Sequence, residues 1–204
     1  GKPLGNDSKV REIGLIGILN YSFADRYLFD ASIRRSGSSM YGSDNRWGTF
    51  WSVGTGWNLH NEKFMKNVTW LEQFIFRSSM DYTGSKNFDP FQSRALYLYG
   101  DIVYNGRLGA ELKGLPNNSL KWQRTMDFNA GVDMGIKSFL KVRFDYYIST
   151  TTDLLSDITI VPSMGFPSYK ENFGETENKG YEFAVAFTPW RNNAKRGWFT
   201  INVS

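Results

Sequence analysis

The chain has 204 residues, no cysteine and a single histidine, and its 24 Lys and Arg against 20 Asp and Glu leave a net charge of +4. That composition excludes disulfides, thiol nucleophiles and thiolate metal sites, and the scattered basic excess lacks the positive stripe of a nucleic-acid binder. An aromatic content of 17 % argues against disorder, while no apolar run approaches the ~18 residues of a spanning helix.

Period-two alternation runs through the chain and predicts strands. Residues 13–23 place Leu15, Leu19, Tyr21 and Phe23 on one side. In 27–35, Tyr27, Phe29, Ala31 and Ile33 oppose Asp30, Ser32 and Arg34. In 47–59, Trp47, Trp51, Val53, Trp57 and Leu59 alternate with small or polar residues, and 70–82 sets Phe74, Phe76, Met80 and Tyr82 against Arg77, Ser79 and Asp81. An extra strand is possible near Ala95–Tyr104. The cleanest runs follow: Met126 to Ile136 and Leu140 to Ile148 are apolar at every even position, with Asp127, Asp133, Lys141, Arg143 and Asp145 between. Tyr181, Phe183, Val185 and Phe187, then Phe199, Ile201 and Val203, complete eight predicted strands.

Several runs exceed the ~5–6 residues usual in soluble domains and match the ~9–11 of a tilted membrane-crossing strand. The connections sort by length. Short ones fall at 24–26, 60–69, 137–139 and 189–197, and long ones at 36–46, 83–124 and 150–180. Strict alternation puts every short turn at one end of the sheet, as in outer-membrane barrels with short periplasmic turns and long extracellular loops. Even parity on both sides of 137–139 predicts a three-residue loop, with Asp133 opposite Arg143 and Met134 opposite Val142. The first residues carry no signal peptide, and the last stop inside an alternating run, so the chain is expected to be a piece of something longer.

No catalytic or metal constellation emerges. His60 reads as a solvated turn residue, and Glu171, Glu175 and Glu177 lack the spacing of a calcium loop. No cofactor is expected. Tyr21, Tyr27, Trp47, Trp57 and Tyr181 suit interfacial girdles. The loop aromatics Tyr97, Tyr99, Tyr104, Trp122, Phe166 and Tyr169 either pack the loops together or stack on a solute. Asp30, Arg34, Arg77, Asp81, Asp127, Asp133, Lys141, Arg143, Asp145 and Glu182 are expected to line a barrel lumen as a hydrogen-bonded polar ladder.

Several stretches taken together resemble a known family. They are Asp25-Arg26-Tyr27-Leu28-Phe29-Asp30-Ala31-Ser32 with Arg34-Arg35-Ser36-Gly37, then Asn45-Arg46-Trp47-Gly48-Thr49-Phe50 and Gly56-Trp57. Leu120-Lys121-Trp122, Gly131-Val132-Asp133, Asp145-Tyr146-Tyr147, Thr152-Asp153-Leu154-Leu155 and Asn178-Lys179-Gly180-Tyr181-Glu182 follow in order. From about residue 12 to 188 the chain resembles the C-terminal part of the barrel of SusC/RagA-like TonB-dependent outer-membrane transporters. It departs from the family's usual residues at Ser36, Met40, Trp51 and Gln123. The resemblance implies an all-β antiparallel transmembrane β-barrel of about 22 strands, of which residues 1–204 form about eight, with the plug and remaining strands elsewhere. It also implies a place in the outer membrane against lipid, energisation by TonB, a SusD-like surface lipoprotein as partner, and an oligosaccharide or peptide as solute. It implies an importer and not an enzyme. The alternatives are a complete small outer-membrane barrel (porin or adhesin) and a soluble carbohydrate-binding β-sandwich.

Overall fold

The computed structural model describes residues 9–41, 45–85, 93, 95, 97–104, 106–112, 114–137, 139–192 and 197–204. Twelve strands are found among them: β1 (Glu12–Phe23), β2 (Tyr27–Ser38), β3 (Trp47–Asn58), β4 (Leu71–Ser85), β5 (Tyr97–Tyr104), β6 (Arg107–Leu112), β7 (Gln123–Ile136), β8 (Leu140–Thr152), β9 (Leu155–Thr159), β10 (Ser168–Asn172), β11 (Glu175–Asn192) and β12 (Gly197–Val203). Eight form one sheet in the order β1-β2-β3-β4-β7-β8-β11-β12. Each pair is antiparallel. β1 and β12 are its edges, so the sheet is an open arc and not a complete eight-stranded barrel.

The eight predicted strands are these eight. β5 does not join the sheet but pairs with β6, and a second hairpin, β9–β10, lies inside the connection read as one long loop from 150 to 180. Strands are also longer than expected at the long-loop end: β7 starts at Gln123, β8 runs to Thr152 and β11 starts at Glu175.

Register follows the hydrophobic pattern. Asp133 faces Arg143 and Met134 faces Val142, as the three-residue connection requires; Ser138 at its centre lies outside the described residues. One continuous row joins Tyr27, Trp57, Phe76, Val132, Phe144 and Phe183 across six strands. The next row, on the opposite face, is Leu28, Gly56, Arg77, Gly131, Asp145 and Glu182. Because cross-strand partners share a face, two chemically distinct surfaces span the sheet. The division is not complete: Ile16 and Ile18 on β1 fall on the polar face opposite Arg34 and Ser32, as do Leu28 and Phe50.

Among the described residues nothing covers the apolar face. Ile33, Phe76, Phe144 and Phe183 are all about half exposed, and the only buried hydrophobic residues among those described are Tyr41, Phe50, Leu120 and Trp122. A soluble sandwich would bury that face against a second sheet, so the sandwich reading finds no support in this architecture. No helix among the described residues is long and apolar enough to cross a membrane, which says nothing of strands.

Candidate functional site

The ten charged residues expected in a lumen share the polar face, as their parity in the paired strands dictates. At its centre Arg77 on β4 donates through Nε to Asp133 on β7 (2.9 Å) and through Nη2 to Asp145 on β8 (2.5 Å). Arg143 on β8 donates to the other oxygen of Asp133 at 2.8 Å. Arg77 reaches β8 only because the intervening β7 residue is Gly131, where a Cβ would lie 2.2 Å from Asp145 Oδ1 and 3.0 Å from Arg77 Nη2. Arg34 donates to Ser36 Oγ (2.8 Å), and Asp81 accepts from Ser79 while facing Asp127 across the ladder. Among the described residues Asp30, Asp81, Asp127, Lys141 and Glu182 form no ion pair. A concavity of about 360 Å³ opens over Gly54, Gly56 and Gly131, between Asp30 and Arg77. The polar face can therefore offer hydrogen bonds and charge of both signs, and among the described residues it holds no group of three or more metal-ligating side chains.

The long-loop end is held by an aromatic core that the alternation did not reveal. The β3–β4 ladder stops at Trp51↔Tyr82 while both strands continue with their outer neighbours, opening a fork. Phe50 fills it, lying between Gly48 and Gly84, where added Cβ atoms would meet its ring at 2.4 and 2.1 Å. Trp122, 6 % exposed, packs edge-on to Phe50 (centroids 5.2 Å apart) and stacks on Tyr41 (4.1 Å). Tyr41 Oη donates to the Ser85 carbonyl, and burial pushes its phenol pKa up. The one sequence-level clue was Phe50 itself, a large aromatic at a polar-face position.

Side-chain amides stitch the loops to one another. Asn172 Oδ1 accepts from the Lys121 N–H (2.8 Å), and its Nδ2 donates to the Lys121 and Asp153 carbonyls (3.1 and 2.8 Å). Asn117 donates to the Lys170 carbonyl at 2.8 Å, and Arg124 pairs with Asp153 beside the same junction. This clasp ties the end of the 86–122 connection to the base of the β9–β10 hairpin. Of the expected loop aromatics, Trp122 belongs to the core, inaccessible to a solute. Tyr169 on β10 donates to Glu171, which holds its phenol above the usual value. Phe166 is half-buried at the hairpin tip and Tyr97 is 61 % exposed. The side chains of Tyr99 and Tyr104 lie outside the described residues. Glu171, Glu175 and Glu177 are not in one solvated loop: the first is half-buried on β10 and the others open β11.

At the short-turn end, Glu62 Oε1 accepts from Tyr27 Oη (2.7 Å) and Trp57 Nε1 (3.1 Å), with Arg26 3.8 Å from its other oxygen. These donors hold the Glu62 carboxyl below the usual carboxylate range, Tyr27 contributing most. His60 is half-buried rather than solvated, its Nδ1 accepting from the Phe74 N–H at 3.3 Å. Trp47 and Trp57 mark the two ends of β3 on the apolar face. Ten residues at about 3.3 Å each, tilted about 40°, give an apolar band roughly 25 Å tall, the height of a transmembrane barrel's outer belt.

Fold and surfaces together define a segment of the wall of a large antiparallel β-barrel, with one apolar and one polar face. Residues 3–204 match the family described as TonB dependent receptor-like, beta-barrel, and the chain belongs to that family. It is 36 % identical over 190 residues to TonB-dependent receptor P39 of Formosa agariphila, covering 92 % of this chain and 18 % of that protein. It is 34 % identical over 209 residues to TonB-dependent receptor SusC of Bacteroides thetaiotaomicron, covering 90 % and 20 %. Among solved structures it superposes on the RagAB peptide importer in its open-open state with a TM-score of 0.82 at 28 % identity, covering 90 % of this chain and 20 % of that one. The chain thus spans about a fifth of the length of the relatives it matches.

Proposed function

We propose that the chain forms part of the wall of an outer-membrane TonB-dependent importer, taking up oligosaccharides or peptides together with a SusD-like surface lipoprotein. The reading is carried by one observation: an uncovered apolar belt of transmembrane height backs directly onto a charged, hydrogen-bonded face in a member of this receptor family. The belt faces lipid and the polar face lines the solute path. The clasped loops form the outer rim on which the lipoprotein sits. The plug and its TonB-binding segment belong to the rest of the polypeptide. Tyr97, Phe166 and Tyr169 are the rim aromatics this reading assigns to solute contact, and no residue acts catalytically.

Uptake of labelled oligosaccharides and labelled peptides by cells carrying the full-length protein tests this. Uptake of one class is expected to need the protein and to stop when the inner-membrane proton gradient is collapsed. Uptake that survives the collapse would identify a passive pore.

A further inference from the structure

The two ends of the apolar belt differ chemically, and the difference points to a ligand at one of them. At the short-turn end the girdle aromatics Tyr27 and Trp57 are satisfied by a carboxylate, Glu62. At the long-loop end the girdle residue Trp47 carries a cation instead: the Arg35 guanidinium lies over its indole, 5.5 Å from the centroid. The indole leans across to β2, where a Cβ on Gly37 would stand 3.0 Å from its ring. Arg35 and Gly37 are two residues apart on β2, both on the apolar face, and Gly37 pairs with Trp47. Stacking fixes the plane of the guanidinium and leaves its N–H fork free for a bidentate anion. Among the described residues no carboxylate pairs with Arg35.

Directly across the ladder from Arg35 stands Leu15, with Ile13 next along the same face, and both are largely exposed. Arg11 continues β1 on that face, its N–H bonded to Ser39 Oγ at 3.0 Å. An oriented, unpaired cation at the edge of an apolar strip fits an amphipathic anion, with a phosphate on the guanidinium and acyl chains along Leu15 and Ile13. A free anion has no use for the strip. The long-loop side is the outer leaflet, whose lipids in a bacterial outer membrane are phosphorylated glycolipids. We propose that Arg35, positioned by Trp47 and Gly37, holds the phosphate of an outer-leaflet glycolipid on the outside of the barrel. The proposal rests on reading the apolar face as lipid-facing.

The test uses the full-length protein in mild detergent, titrated with purified phosphorylated glycolipid and followed by native mass spectrometry. Arg35→Gln is expected to lower glycolipid affinity about five-fold, the weight of one surface arginine at an anionic lipid surface, and Trp47→Leu to lower it in the same direction. Arg143→Gln, on the opposite face, should bind like the parent protein. Enzymatically dephosphorylated glycolipid should bind the parent protein no better than intact glycolipid binds Arg35→Gln, and inorganic phosphate should not compete. Equal affinity of Arg35→Gln and the parent, an equal loss in Arg143→Gln, or displacement by inorganic phosphate overturns the proposal. Failure of the underlying reading looks different: the protein would stay soluble without detergent and take up no lipid of any class.

Discussion

Arg77 and Asp145 meet across a strand that places no side chain between them, because the intervening residue on β7 is Gly131. The same guanidinium holds Asp133, which Arg143 approaches from the other side, so four charges on three strands form one network. Asp133 is the member that accepts from two guanidiniums. Asp133→Asn should therefore destabilise the full-length protein more than Arg143→Gln, which leaves the Arg77 contacts in place. Because both arginines are substantially exposed, the expected loss for Asp133→Asn is only about 1 kcal/mol. Urea unfolding in lipid vesicles measures it, and equal losses in the two variants would show that Asp133 is not the hub.

The fork between β3 and β4 should be intolerant of added volume. Gly84→Ala brings a methyl group into the ring of buried Phe50 and is expected to cost about 1–3 kcal/mol, whereas Gly54→Ala, with only the Asp30 Cβ within contact distance, should be close to neutral. Trp122→Ala removes the residue on which Tyr41 and Phe50 both pack, a change worth about 3–5 kcal/mol in a packed core. Its effect should appear as faster proteolysis of the long loops, with the membrane-embedded strands still protected.

Val142 lies on the apolar face, opposite Met134 and Val185. On the lipid-facing reading, Val142→Arg should cost ~2–4 kcal/mol near the bilayer midplane and block assembly into vesicles. Lys141→Arg, one residue away on the polar face, should assemble normally. Normal assembly of Val142→Arg would refute the assignment of faces.

Acid should loosen the 59–70 turn through Glu62. Its folded-state pKa lies below the ordinary value of 4.5 because Tyr27 and Trp57 donate to the carboxylate. A lowered carboxyl pKa contributes stability that is present above the ordinary value and lost as pH falls through the lowered one. Hydrogen exchange of the turn should therefore quicken as pH drops below about 4.5, relative to the intrinsic rate, and Glu62→Gln should remove that dependence. An unchanged acid limb in Glu62→Gln would assign the effect to another group.

The sequence disclosed whatever the contrast between the two faces of the sheet imposes. Within the belt one face is apolar and the other polar, so Met126 to Ile136 and Leu140 to Ile148 alternate cleanly, and parity alone fixes Asp133 against Arg143. Above the belt neither face is continuously apolar, and the contrast disappears. Gln123–Thr125, Thr150–Thr152 and Glu175–Lys179 are strand without an alternating pattern, so in the sequence the ends of β7, β8 and β11 look like loop. The β9–β10 hairpin was hidden for the same reason. Phe50, Tyr41 and Trp122 were individually visible, but only the parting of β3 from β4 explains why they converge. Asn172 and Asn117 gave no signal at all, since an amide bonded to distant backbone looks like any loop asparagine.

The clasp at Asn172 also bears on how such a wall diversifies. It fixes the base of the β9–β10 hairpin through backbone carbonyls and an N–H, groups that every residue type except proline supplies. The tip, residues 160–167, lies beyond it, with Val161 and Met164 exposed. Sequence change at the tip is thus uncoupled from the barrel beneath, and a transplanted tip needs only a compatible span between Thr159 and Ser168. The tip can drift while the scaffold stays constant.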